Sequence, residues 1–478
     1  MAQPIGSGGP LLSSADRFDV VVIGSGPGGY VSAIRGAQLG MKVAVVEIDK
    51  PGGVCLNWGC IPTKALLSGA ELVETLRSKG ELFGVRAGSL ELDYGKAIEH
   101  SRACADRLGK GVQGLLKKNQ IELVKGRGRL AGPKTVEVEG DAQRTLEAGH
   151  VVLATGSEEL VLPGIEVDGQ SILTSREALE SKRVPERLVI IGAGAVGVEF
   201  AYVYASYGSE VTILEMADQM LPGADPEVSQ ALQREFRRKK IDVQLGTRFE
   251  RVKKVEGGVK IDVTRGDESG EIEADQVLVA IGRKPLSSDL GLEALDIEVD
   301  RRGFVPVNDK LRTSVATISA IGDLTGGALL AHKASEEGVA VMEFLAGVAR
   351  PPLDHGKIPG CIYCQPQVAW IGMSEAQARE AHGDDLRVGK FPFTASGKAI
   401  ASGHTAGFVK IIAEPRYHEI VGAHIVGHGA TDLIAEIGLA MTLESTTAEL
   451  AATVHAHPTL SEAILEAALG AEGRSIHF

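Results

Sequence analysis

Residues 18–47 read FDVVVIGSGPGGYVSAIRGAQLGMKVAVVE. The apolar run Phe18–Ile23 has the pattern of a buried strand, and Gly24, Gly26 and Gly29 follow it with G-x-G-x-x-G spacing. Small and apolar residues then continue as a helix to Leu39, and a second strand ends at Glu47. In such a unit the first glycine makes the turn and the second lets the backbone approach a pyrophosphate. The third lets helix pack on strand, with the helix N-terminus facing the phosphates. Glu47 stands where an acid can accept hydrogen bonds from a ribose.

Residues 187–215, RLVIIGAGAVGVEFAYVYASYGSEVTILE, repeat the arrangement with Gly192, Gly194 and Gly197, and Glu215 closes the second strand at the same spacing. An acid there favours a free 2′-hydroxyl and repels a 2′-phosphate, so this unit predicts NAD and disfavours NADP. Met216, Ala217 and Asp218 supply no basic cluster for an extra phosphate. Two units predict two dinucleotides on one chain; the alternative is a duplicated fold with one dead site. HVVLATGS (150–157), DQVLVAIGR (275–283) and ATISAIGDLTGG (316–327) are further strands running into glycine turns. They add Thr155, Gly156, Gly282, Arg283, Gly322 and Asp323 to the cofactor-binding candidates, Asp323 being suited to a polyol chain.

A chain of 478 residues exceeds what one hydrophobic core normally serves, so three or four domains are expected. The net charge of −13 and 4% aromatic content argue against nucleic-acid binding. No apolar run is long enough for a membrane helix. Residues 1–16 are Gly/Ser/Pro-rich without a basic segment, which predicts a flexible lead and a cytoplasmic protein.

GGVCLNWGCIPTK (52–64) carries two of the five cysteines, Cys55 and Cys60. A regular helix would rotate these two roughly 140° apart and separate them by about 7.5 Å along its axis. They can bridge only where the segment is irregular or a helix is just beginning, which Gly52, Gly53, Gly59 and Pro62 permit. A structural staple, a metal pair and a redox dithiol all remain open from these residues alone. A metal would need ligands from elsewhere in the chain, and no metal site is expected. Cys361 and Cys364 fall in GCIYCQPQVAW, whose alternation predicts one strand with the two thiols on opposite faces, both buried as small hydrophobes.

The Gly-Gly-x-Cys-x₄-Cys-Ile-Pro-x-Lys pattern after the first dinucleotide unit resembles the FAD-dependent pyridine nucleotide–disulfide oxidoreductases, nearly end to end. AIGDLTGGALLAHKASEEG (320–338) and HAHPTLSEAILEA (455–467) match family motifs in the same order. The resemblance is to the branch that oxidises protein-bound dihydrolipoamide and reduces NAD. It implies FAD as the first cofactor and NAD as the second, with Gly53, Ala331 and His332 added to the cofactor contacts. Cys60 would be the thiol against the flavin and Cys55 the interchange thiol. Lys64 would lie near the flavin with Glu199 as its ionic partner, and His457, oriented by Glu462, would move protons. His455 reads as supporting. A cis His457–Pro458 bond and a homodimer that shares its active sites are further implications. So are lipoyl-bearing domains of 2-oxo acid dehydrogenase complexes or of a glycine cleavage system as partners. Val54, Trp58, Leu286, Cys364 and Gln367 depart from the family pattern.

The fold expected is α/β: two Rossmann-like dinucleotide-binding domains plus a central domain and a C-terminal α+β dimerisation domain. Its boundaries are a lead at 1–16, the FAD-binding domain with the dithiol at 17–155, the NAD-binding domain at 156–278, a central continuation at 279–350 and the interface domain at 351–478. In the last of these, FVKIIAEPRYHEIVGAHIVG (408–427) predicts a hairpin turning at Glu414–His418, followed by helices at Thr431–Thr442 and Ser461–Ala471. Competing readings are a sibling reductase for another disulfide, a flavin-dependent NADH oxidase or electron-transfer protein, and a non-enzymatic scaffold. Glutathione reduction would want NADPH, which Glu215 opposes. A mercuric enzyme would want a C-terminal cysteine pair, and no cysteine follows Cys364.

Overall fold

The computed structural model describes residues 16–86, 88–140, 143–162 and 164–478; residues 1–15, most of the expected lead, lie outside them. The chain forms two compact units and passes between them repeatedly: the described residues of 16–60, 104–158 and 283–353 build one, and those of 61–103, 159–282 and 354–478 build the other.

The first unit is organised on a sheet whose parallel part runs Glu122–Lys125, Val43–Glu47, Arg17–Ile23, Arg144–Leu153, with Ile318–Ala320 also pairing the last of these. Arg144–Leu153 continues at its start into an antiparallel meander with Thr135–Glu139 and Arg127–Gly132. The apolar runs read from sequence are buried on both faces, as a covered parallel sheet requires. Helix Pro27–Gln38 lies against helix Ala331–Leu345 at backbone contact, since a Cβ on Gly338 would stand 2.6 Å from the Gly28 carbonyl oxygen.

The second unit contains a parallel sheet ordered Asp242–Gln244, Glu210–Leu214, Arg187–Ile191, Gln276–Val279, Ile172–Leu173. Helix Ala195–Tyr207 follows the glycine turn and is buried along most of its length. A three-stranded antiparallel sheet spans residues 247–274. The C-terminal part is a five-stranded antiparallel sheet ordered Gly360–Ile362, Gln367–Gly372, Ile420–Gly427, Phe408–Ala413, Arg387–Pro392. The hairpin expected at 408–427 is its centre, and helices Ala430–Thr442 and Glu462–Ala471 cover it. At Gly389 a Cβ would lie 1.8 Å from the Ala467 carbonyl oxygen, so only glycine lets the last helix dock on strand Arg387–Pro392.

One expectation fails locally. The strand carrying Cys361 ends at Ile362, so Cys364 sits on the bend before the cis Gln365–Pro366 bond and not on a strand. The proline supplies no N–H to extend the ladder, and the chain turns there. The expected burial holds for Cys364, whereas Cys361 is half-buried; burial pushes the Cys361 thiol up to about 11 and that of Cys364 higher still.

Within the second unit Lys410 is buried, with its ammonium 2.6 Å from Glu375, 2.9 Å from Glu227 and 3.3 Å from Asp225. Burial disfavours its charge, but the hydrogen bonds it donates to Glu375 and Glu227 outweigh that and raise its pKa. Lys410→Met is expected to destabilise the protein by about 3–5 kcal/mol, because Asp225 is left buried without its cation. A guanidinium unfolding midpoint equal to wild type would contradict this.

Candidate active site

The two glycine turns are built alike, atom for atom. Gly24 N–H donates to Val46 O and Gly192 N–H to Leu214 O, each at 2.8 Å. A Cβ on Gly24 would meet Ala154 O at 2.3 Å, and one on Gly192 would meet Ala280 O at 2.4 Å. A Cβ on Gly29 or Gly197 would fall 1.9 Å from the carbonyl oxygen of the first glycine of its own turn. Gly26 and Gly194 differ, because a Cβ on either meets nothing within 4 Å. The chain itself does not need glycine at these middle positions, whereas a pyrophosphate lying on the backbone would. The residues present therefore fit two dinucleotides.

The two acids also match. Glu47 accepts from Ser25 N–H at 2.8 Å through one oxygen and from Asp49 N–H at 2.8 Å through the other. Glu215 accepts from Ala193 N–H at 2.7 Å and from Ala217 N–H at 2.8 Å. Each carboxylate thus clamps its glycine loop to the end of the second strand. The motif predicts a ribose for these acids; the clamp forms only when the loop folds back beside the second strand.

Gly26→Val should therefore leave a folded chain that purifies without flavin, while Gly29→Ala should disrupt the first unit itself. Flavin content and the far-ultraviolet dichroism of the two variants check this. A flavin-replete Gly26→Val protein would contradict it.

Further along the first unit, Asp323 accepts a 2.5 Å hydrogen bond from Ser157 Oγ. Arg283 donates to that same Oγ through Nε at 2.8 Å and to Ser157 O through Nη2 at 2.7 Å. Gly156 and Gly322 both adopt positive φ. Thr155 Oγ1 donates to the Leu286 carbonyl, so position 286 serves through its backbone. Gly282 adopts φ 133° before Arg283. The turn at Gly322–Gly326 is held from beneath by the buried Lys333, which donates to Gly322 O at 2.9 Å and Gly326 O at 2.8 Å and pairs with Glu337 at 3.1 Å. Lys333 and Glu337 were not singled out from sequence. Their i,i+4 spacing was visible, but a buried role looks the same as a solvated pair. Ala331 and His332 open the helix that carries them.

The cysteines occupy the irregular segment that the glycines allow. Cys55 lies on the short helix Gly53–Trp58, whose N-cap Gly52 and first residue Gly53 both have positive φ. Gly59, at φ −152° and ψ −108°, breaks the helix, and Cys60 begins the next one, Cys60–Lys79. The pair is thereby freed from the rotation of a single continuous helix, and Cys60 occupies a helix N-terminus, which favours a thiolate. Both side chains are half-buried. Trp58 secures the first helix: its indole N–H donates to Asp49 at 3.1 Å, and the Lys50 ammonium lies 5.1 Å from its ring centroid. Since Asp49 N–H is held by Glu47, the dithiol helix is tied to the same acid that clamps the glycine loop.

In the second unit Lys64 donates to both oxygens of Glu199, at 3.1 and 3.0 Å. The Glu199 carboxylate is buried and also accepts from Tyr363 N–H at 3.0 Å, while the Lys64 ammonium lies 4.3 Å from the Tyr363 ring centroid. His457 Nδ1 faces Glu462 Oε1 at 2.8 Å, and the other Glu462 oxygen accepts from Thr459 N–H at 2.8 Å. The Thr459 amide is the main reason the Glu462 carboxyl is held below its ordinary range, with His457 adding to it. The His457–Pro458 bond is cis, and the imidazole is 80% exposed. His455 is held apart from this pair: its ring bonds Glu436 at 2.7 Å and Thr453 O at 2.9 Å. Gln367, one of the departures, accepts from Thr431 Oγ1 at 2.9 Å. Among the described residues no group of three or more His, Cys, Asp or Glu side chains could hold a metal, and no helix is long and apolar enough to cross a membrane.

Comparison with known proteins agrees with this geometry. Residues 18–338 match the pyridine nucleotide-disulphide oxidoreductase family, and residues 358–468 match its dimerisation domain. A dihydrolipoyl dehydrogenase of Chlorobaculum parvum is 46% identical over 96% of this chain and 98% of its own length. One of Bacillus subtilis is 42% identical over 97% of this chain and all of its own. Among solved structures, LpdA of Mycobacterium tuberculosis superposes with a TM-score of 0.88 at 27% identity, covering 95% of this chain and 98% of its own. With two glycine turns of one design, a cysteine pair across a helix break and these matches along both parts of the sequence, the chain belongs to the pyridine nucleotide-disulphide oxidoreductases and takes FAD and NAD.

Proposed function

We propose that the protein is a dihydrolipoyl dehydrogenase, catalysing dihydrolipoamide + NAD⁺ → lipoamide + NADH + H⁺. The observation that carries this is the combination of a dithiol at a helix start, an acid in place of a 2′-phosphate site at Glu215, and the His457–Glu462 pair. One thiolate of dihydrolipoamide attacks the sulfur of Cys55 in the Cys55–Cys60 disulfide, and Cys60 leaves as a thiolate. The second lipoyl thiolate attacks the mixed disulfide, closing the lipoyl ring and releasing Cys55. His457 takes up the thiol protons through Nε2, because Glu462 occupies Nδ1 and fixes the tautomer. Bound FAD and NAD⁺ would supply the two-electron acceptor chemistry that returns the Cys55–Cys60 dithiol to the disulfide. The first turn, with Gly24, Gly26, Gly29, Glu47 and Gly53, together with Thr155, Gly156, Arg283, Gly322, Asp323, Ala331 and His332, would hold FAD. The second, with Gly192, Gly194, Gly197, Glu215 and Gly282, would hold NAD.

The exposure of His457 supports a site completed between two copies, with each imidazole serving the dithiol of the other subunit. The domain division is 17–155, 156–278, 279–350 and 351–478 after the lead. The partners are lipoyl-bearing domains of a 2-oxo acid dehydrogenase complex or a glycine cleavage system, and the compartment is the cytoplasm. An anaerobic titration of the yellow protein tests the activity. Dihydrolipoamide should bleach the flavin, and NAD⁺ should then restore its colour with formation of NADH. Reduction by NADH or NADPH but not by dihydrolipoamide would instead indicate a sibling reductase.

A further inference from the structure

Apart from these residues, the second unit has a cleft of about 300 Å³ lined by Glu71, Lys79, Lys239, Gln365, His404 and His428. The cations of its wall are mostly matched: Lys239 pairs with Glu74 at 2.7 Å, and Arg238 with Glu235 at 2.5 Å. Lys79 is different. Among the described residues its ammonium has no carboxylate at ion-pair distance, and its hydrogen-bond partner is His404 Nδ1, at 2.8 Å. The His404 ring is fixed by stacking on His428, with centroids 4.1 Å apart and planes at 24°. His428 Nδ1 in turn lies 3.3 Å from Glu71, which also accepts from Gln365 at 2.9 Å.

We propose that Lys79 is an acyl-acceptor site for small acyl thioesters, with His404 as its proton acceptor. The free amine attacks the thioester carbonyl carbon, a C–N bond forms, and the C–S bond breaks. The amine proton passes to His404 Nδ1 and from there to the departing thiolate. The product is an amide and a free thiol, and no oxidant or reductant is consumed. A thioester suits the site because it brings its own leaving group, and the cleft has room for a short acyl chain.

The electrostatics run the same way. Burial first, and then the charge of Lys239, lower the Lys79 ammonium, outweighing Glu71 and Glu74 and enlarging the fraction of free amine. Burial first, then His428 and Lys79, hold His404 down to about 4, which keeps its imidazole neutral with a ring nitrogen able to accept the proton from Lys79.

The test is to incubate the flavin-loaded dimer with S-acetyl-N-acetylcysteamine at mildly alkaline pH and follow acetylation of each lysine by peptide mass spectrometry. Lys79 should acetylate about tenfold faster than the exposed Lys310 and Lys398, a modest share of what a positioned base can supply. His404→Phe, which keeps a ring on His428, should bring Lys79 down to the rate of those two lysines. If that variant unfolds, all lysines will speed up together, and His404→Asn, which offers an acceptor but no base, decides in its place. Lys79 reacting no faster than Lys310 in the native protein, or keeping its lead without His404, would overturn the proposal.

Discussion

Cys60→Ser and Cys55→Ser should each lower dihydrolipoamide oxidation by about 10⁴-fold or more, the scale on which loss of a covalent nucleophile acts. The reason is chemical: exchange needs a thiolate that attacks and a thiolate that leaves, and serine supplies neither. The fold should survive, because neither side chain is fully buried and the helix break depends on Gly59. NADH oxidation by an artificial electron acceptor, which uses flavin without the dithiol, should persist in both variants. Loss of both activities together would mean that the cysteines hold the flavin site in shape and do not exchange with substrate.

The second large effect is expected at His457. His457→Gln should reduce dihydrolipoamide turnover by about 10²–10⁴-fold, the usual worth of a positioned proton acceptor, again sparing oxidation of NADH by the artificial acceptor. Glu462→Gln should cost less, because the Thr459 amide still holds the side chain and only the tautomer preference weakens. The pH dependence follows from the sign of the Glu462 shift. Its pKa is lowered in the folded chain, so the charge is present above the ordinary carboxylate range and is lost only as pH falls through the lowered value. Any loss of rate between about pH 5 and pH 7 therefore does not come from Glu462, and Glu462→Gln should leave that limb in place. A limb that disappears in this variant would assign it to Glu462. Equal losses at His457 for both assays would place the histidine outside the proton path.

Much of this was legible in the sequence because the information is local. Strand, glycine turn, helix and acid follow one another within about thirty residues at Phe18–Glu47 and again at Arg187–Glu215. Backbone geometry allows few other outcomes for that order. The helix break between Cys55 and Cys60 was legible for the same reason, since Gly52, Gly53 and Gly59 stand where the chain must turn. Resemblance to a family added the roles of the cysteines and the pairings Lys64–Glu199 and His457–Glu462, which the residues alone would not have joined.

Other features depend on residues far apart in the chain, and only tertiary structure decided them. Glu47 and Glu215 hold their own glycine loops because the second strand lies beside the turn. Cys364 leaves the strand at a cis proline, although the local alternation pointed to one continuous strand. Lys333 beneath the Gly322 turn and Lys79 against His404 are lysines in helical stretches of mixed polarity that by pattern would be assigned to solvent, and Lys410, inside the buried apolar strand FVKIIA, needs the three carboxylates that only the fold brings to it. A pattern records how often a residue faces inward; it does not record which partner arrives there. For a charged group in a folded chain, that partner determines whether burial is tolerated and what the group can do.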